Sequence, residues 1–160
     1  MTHEIDNMQK YANYKEQFGR LKKALSYKFY LEAIFIEYAI IKDRFESVLR
    51  HSGKFNPERH NSLNAKLKRI EEMQREKRGL TRKYFSDEII EEVSVWKEDR
   101  NQLIHALMKQ SIHTEDLECV ALKGREIAKT ISNKTKIYNN DLKKLQNTVP
   151  EHINAEKTMR

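Results

Sequence analysis

Residues 27–51 read YKFYLEAIFIEYAIIKDRFESVLRH, and the spacing of their apolar residues decides the fold class. Phe29, Tyr30, Ala33, Ile34, Ile36, Ile40, Ile41, Phe45, Val48 and Leu49 follow the period of an α-helix, not the alternation of a strand. They cover more than half of the helical circumference, which predicts a helix at the centre of a bundle. Two charges interrupt the apolar arc. With Tyr30 at zero and about 100° per residue, Glu37 falls near about −20° and Arg44 near about −40°. A charge facing inward persists only when it is paired. Two pairings are open: Glu37 and Arg44 with each other or a neighbouring helix, or Glu37 as a brace for Arg100 further along.

The composition agrees with a helical chain. Only 4 of 160 residues are Gly and 2 are Pro, while helix-forming Lys, Glu, Leu and Ala abound. The expected fold is all-α, an up-and-down bundle of about five helices. A chain of 160 residues is one domain by length. Residues 1–147 are expected to form it, and residues 148–160, after the last periodic residues, a flexible tail. Cys119 is the only cysteine, so no intrachain disulfide and no cysteine-built metal site is expected. No apolar run approaches the ~18 residues of a membrane span. The first residues lack the basic-then-apolar build of a signal peptide. The expectation is a cytoplasmic protein with no membrane contact. A net charge of +7 favours an anionic partner.

Taken in order, a first helix begins near Asp6 or Asn7 and carries Tyr11, Tyr14, Phe18, Leu21 and Leu25 on one face. The central helix spans 27–51. Ser52 to Pro57 is a turn, with Gly53 suited to a helix C-cap and Pro57 to a helix start. Residues 57–78 form a charged helix with a thin apolar line through Leu63, Leu67 and Ile70. Between Arg59 and Lys83 there are nine Lys or Arg against three Glu. Leu80 to Phe85 reads as a link. Ser86 followed by Asp87 and Glu88 starts a helix that runs to about Gln110. Thr114 caps a last helix, which is interrupted near Asn133 and resumes through Ile137 and Leu145.

The helix from Asp87 carries the most unusual pattern. With Ile89 at zero, Val93, Trp96, Leu103 and Leu107 lie within about 40° of one line. Arg100 sits in that apolar stripe, at about 20°, and Asn101 and His105 lie on its flank, at about 120° and 160°. A guanidinium in an apolar stripe needs a partner or a task. A titratable imidazole one turn further on makes a task plausible. Most enzyme classes lack support. The six histidines form no H-E-x-x-H pair, there is no glycine-rich phosphate loop and no G-x-S-x-G element, and no metal or cofactor is expected.

The run Arg100-Asn101-Gln102-Leu103-Ile104-His105 resembles the R-x4–6-H motif of the HEPN superfamily, in its R-N-x-x-x-H form. The likeness in architecture covers most of residues 8–145; the motif itself covers six. Members of that family are small all-α bundles with the motif towards the end of a late helix. The resemblance implies a metal-independent endoribonuclease, with RNA as substrate and two copies facing each other across a composite active site. It also implies a role as a toxin held by an antitoxin protein, or as an effector of phage defence. In such a site His105 is the general acid or base and Arg100 grips the phosphate and stabilises its developing charge. Asn101 bonds a phosphate oxygen or orients the imidazole. Glu37 and Asp99 are the expected supporting residues, and Arg59, Lys66 and Arg69 the expected RNA-binding cations. Arg100 and His105 are about 140° apart on one helix, so a single copy presents them poorly. Two rivals stand beside this reading. One is a non-catalytic dimeric binding module of the same fold. The other is a helical adaptor that holds an acidic partner with the basic helix at 59–83.

Overall fold

The computed structural model describes residues 7–76 and 79–148. The expected tail from 149 onward lies outside the described residues, as do Lys77 and Arg78 of the basic run. The fold is all-α: six helices, with no strand among the described residues. They are α1 (Asn7–Ser26), α2 (Tyr30–His51), α3 (Leu63–Gln74), α4 (Leu80–Tyr84), α5 (Asp87–Ala106) and α6 (Thr114–Asn147).

The expected count of about five helices misses α4, because a five-residue helix is too short to show a period. The expected break near Asn133 is absent, and α6 runs unbroken for 34 residues. Burial of Ile127, Ala128, Ile131, Thr135 and Tyr138 along one face carries it through its polar residues. The basic helix starts later than Pro57. Asn56 Oδ1 accepts the backbone N–H groups of Glu58 and Arg59 at 3.0 and 3.3 Å, which holds Pro57 in a turn. Ser62 then caps α3, its Oγ accepting the Ala65 N–H at 3.1 Å. Ser86 and His113 occupy the N-cap positions of α5 and α6 without a side-chain cap bond, so Thr114 is the first residue of α6 and not its cap.

Two helix ends close by the same device. Gly53 has φ +70°, and the Lys54 N–H bonds back to Leu49 O at 2.8 Å. At the end of α1 the equivalent residue is Lys28, with φ 60°, and the Phe29 N–H bonds back to Ala24 O at 2.8 Å. A side chain in this left-handed region costs about 1 kcal/mol.

The buried apolar side chains make one contiguous cluster. As expected, α2 lies at its centre, packed above all on α6 and flanked by α1 and α3. Helix α5 rests on α6 and α3, and α4 on α3 and α6. Two contacts pin α2 to α6. Near the middle of α2, Glu37 lies directly against Gly124, where a Cβ would overlap its carboxylate. Further along, Asn139 Nδ2 donates to Ser47 Oγ at 3.1 Å. Trp96 fastens α5 to the same helix: it is fully buried, and its indole N–H donates to Val120 O at 2.9 Å. Arg44 does not pair with Glu37. Its guanidinium lies 3.6 Å from the centre of the Tyr14 ring, donates to the Tyr14 hydroxyl and reaches Asp43 at 3.1 Å.

Candidate functional site

The last two turns of α5 carry Arg100, Asn101 and His105. The apolar stripe that buries Ile90, Val93 and Trp96 weakens beyond Trp96: Leu103 is half-buried and Leu107 is 37% exposed. Helix α5 also ends at Ala106, short of Gln110. Arg100 therefore sits where the core gives way to solvent, half-buried and not enclosed.

Its guanidinium carbon lies 4.1 Å from the centre of the Tyr38 ring and 5.5 Å from that of Phe35, both on α2. Such stacking attracts a cation without neutralising it. Arg100 Nη1 donates to Asn101 Oδ1 at 2.9 Å. Arg100 Nε is buried and has no partner among the described residues. No carboxylate among them lies within 4 Å of it, so the charge stays uncompensated.

Glu37 is not the brace of Arg100. It is fully buried on the face of α2 that meets Gly124 and Trp96, and both its oxygens lack a hydrogen-bond partner. Burial pushes its pKa up to about 9, although the Arg125 guanidinium pulls it partly back. Glu37 is thus a neutral acid at pH 7. The neighbouring residue on α2, Tyr38, holds Arg100 instead.

His105 is exposed, one residue before the end of α5. None of its ring nitrogens bonds a described residue. Asp99 lies on the opposite flank from Asn101, about 200° around the helix. It lines an open groove of about 330 Å³ with Gln102, Ala106, Ile112 and Cys119. The structure does not bring it to Arg100 or His105.

The expected RNA-binding cations do not form a free face. Lys66 is buried: its ammonium donates to His60 O at 2.5 Å and lies 3.3 Å from Glu46. It shares the inward side of α3 with Leu63, Leu67 and Ile70, which is why its charge is turned inward and paired. Arg69 pairs with Glu72 at 2.6 Å, and only Arg59 of the three is exposed without an acid partner.

No protein-family model matches this chain, and no curated protein or solved structure matches it.

Of the two rings that hold Arg100, the sequence leaves Phe35 unmarked and suggests for Tyr38 only packing in the bundle. They are three apart, so they share a face of α2, and Phe35 is 50% exposed on a helix that is otherwise the most buried. That misplaced phenylalanine was the available signal. Among the described residues no three of His, Cys, Asp and Glu lie together as a ligand set for a metal. No described helix is long and apolar enough to cross a membrane.

Proposed function

We propose that this chain is an endoribonuclease of the HEPN type, acting through Arg100, Asn101 and His105. The observation that carries the reading is the state of Arg100: a guanidinium held on Tyr38, tethered to Asn101 and matched by no carboxylate among the described residues. A structural buried arginine has an acid partner. One held by aromatic stacking is free to take an anion, and its unsatisfied Nε marks it further.

The reaction needs only these groups and the RNA. The 2′-hydroxyl attacks the adjacent phosphorus, the new 2′-O–P bond forms and the P–O5′ bond breaks. The products are a 2′,3′-cyclic phosphate and a 5′-hydroxyl. An imidazole takes the 2′-OH proton or supplies one to the departing oxygen. Arg100 stabilises the charge that builds on the non-bridging oxygens. Because Arg100 and His105 diverge around α5, the site in this reading joins Arg100 of one copy with His105 of another. Leu107 and Met108, exposed beside His105, supply an apolar rim for such a homodimer.

Incubation of the purified protein with RNA in EDTA, beside Arg100→Ala and His105→Ala, tests it. Cleavage that disappears in both variants and leaves cyclic phosphate ends is the expected result. Equal cleavage by all three proteins would reject the reading. The same stack of Arg100 on α2 also suits a non-catalytic dimeric module, in which Arg100→Ala lowers stability and no RNA is cut. The adaptor reading is weaker, since Lys66 and Arg69 are occupied within the chain.

A further inference from the structure

The turn between α1 and α2 holds two large aromatic rings in solvent. Tyr27 is 60% and Phe29 57% exposed, and the rings stack with centres 5.8 Å apart and planes 26° from parallel. Lys28 between them takes the left-handed backbone conformation, which places both rings on one side of the turn. They border an open hollow of about 500 Å³, which Arg20, Lys23, Ala24 and Glu32 complete. From Arg20 to Glu32 there are four cations, Arg20, Lys22, Lys23 and Lys28, against one acid. Arg20 is also bonded to Glu16 at 2.8 Å, an exposed pair that a phosphate can displace.

Scattered exposed apolar side chains are ordinary. A stacked pair fixed at a turn and ringed by cations is a different object. Aromatic faces bordered by Lys and Arg bind single strands, because every base has a π-face and every linkage a charge. We propose that Tyr27 and Phe29 are a stacking platform for an unpaired RNA base, with Lys23 and Arg20 on the flanking phosphates. This rests on the reading that the chain acts on RNA, and it gives the substrate a place.

The test uses His105→Ala protein, which holds RNA without cutting it, and a fluorescein-labelled 12-mer of uridine in anisotropy titrations at two salt concentrations. Combined Tyr27→Ala and Phe29→Ala substitution weakens binding about tenfold or more. Lys23→Ala weakens it and flattens its salt dependence. Tyr27→Trp keeps the affinity, and the added indole is quenched by the oligomer. Unchanged affinity in the double alanine variant overturns the platform, and so does an indole that RNA does not quench. Cleavage that survives the double substitution at full rate also removes the platform and leaves the ribonuclease reading standing. Platform-dependent binding in a protein that cuts no RNA does the reverse. Binding to phosphatidylserine vesicles in preference to the oligomer assigns the surface to a membrane and overturns the proposal.

Discussion

Arg100 lies over the ring of Tyr38, 4.1 Å from its centre, and no carboxylate among the described residues pairs with it. The pair joins the end of α5 to α2 through side chains. If that stack aims the guanidinium at a phosphate, Arg100→Lys, which keeps the charge and loses the fork, reduces cleavage about 100-fold or more. Tyr38→Leu reduces it about tenfold, and Tyr38→Phe leaves it within about twofold. Single-turnover cleavage rates measure all three, and a Tyr38→Leu enzyme as fast as the parent would show that the stack positions nothing.

Glu37 makes stability fall as the solution becomes alkaline. Its carboxyl is raised from 4.5 to about 9 in the folded chain, so between those values the folded state keeps a proton that the unfolded chain releases. The stabilisation is complete below pH 4.5 and is lost as pH rises towards 9. Glu37→Gln mimics the protonated form, and its melting temperature exceeds that of the parent increasingly from pH 6 to pH 9. Parallel curves for the two proteins would mean that Glu37 is ionised when folded.

His60 acts in the opposite sense. Its Nδ1 accepts the Asn56 N–H at 2.9 Å, which requires that nitrogen unprotonated. Burial, with Arg69 and Lys66 nearby, holds its pKa below the usual 6.5. The unfolded chain therefore takes up the proton first, and this contribution, present above pH 6.5, is lost as pH falls below it. Imidazole resonances followed from pH 8 to pH 4 are expected to show His60 titrating below 6.5.

Gly124→Ala would drive its new methyl group into Glu37 and to 2.7 Å from the Trp96 ring. Both neighbours are fully buried, so α6 must shift away from α2. The gain of helix propensity, about 1 kcal/mol, offsets part of an overpacking cost of about 1–3 kcal/mol. Urea unfolding is expected to show a net loss of up to about 2 kcal/mol, which shrinks when Glu37→Ala is combined with it, the contact with Trp96 remaining.

Lys66 and Arg59 separate structural from surface cations. Lys66→Ala leaves the His60 carbonyl without its donor and Glu46 with Arg50 alone, and is expected to cost about 1–3 kcal/mol. Arg59→Ala changes stability by less than about 0.5 kcal/mol. Thermal melts of the two variants, with RNA binding measured on each, distinguish the roles.

Much of the fold was legible because α1, α2 and α5 announce themselves by period, and α2 by the breadth of its apolar face. The end of α5 was not legible. A helical wheel assigns Leu107 and Arg100 to the core stripe, yet whether the stripe is still covered at that point depends on where the neighbouring helices lie. The inward turn of Glu37 was visible, but its contact was not, since Gly124 stands 87 positions away and a glycine gives no sign of what it leaves room for. Lys66 misled for a related reason: a lysine reads as surface unless Glu46 and the His60 carbonyl are known to wait for it. The Arg100–Asn101–His105 run was legible as a motif, while the ring that holds Arg100 was not.

The central helix finds its chief partner late in the chain. Helix α2 ends at His51 and α6 does not begin until Thr114. During synthesis, at about 5–20 residues per second, the apolar side of α2 waits several seconds for the segment that covers it. Helices α1 and α3 shield part of that side before then, and the face that meets α6 stays open. A circular permutant that begins at α3 has only α1 between α6 and α2, which shortens the wait and raises the folding rate by lowering the contact order.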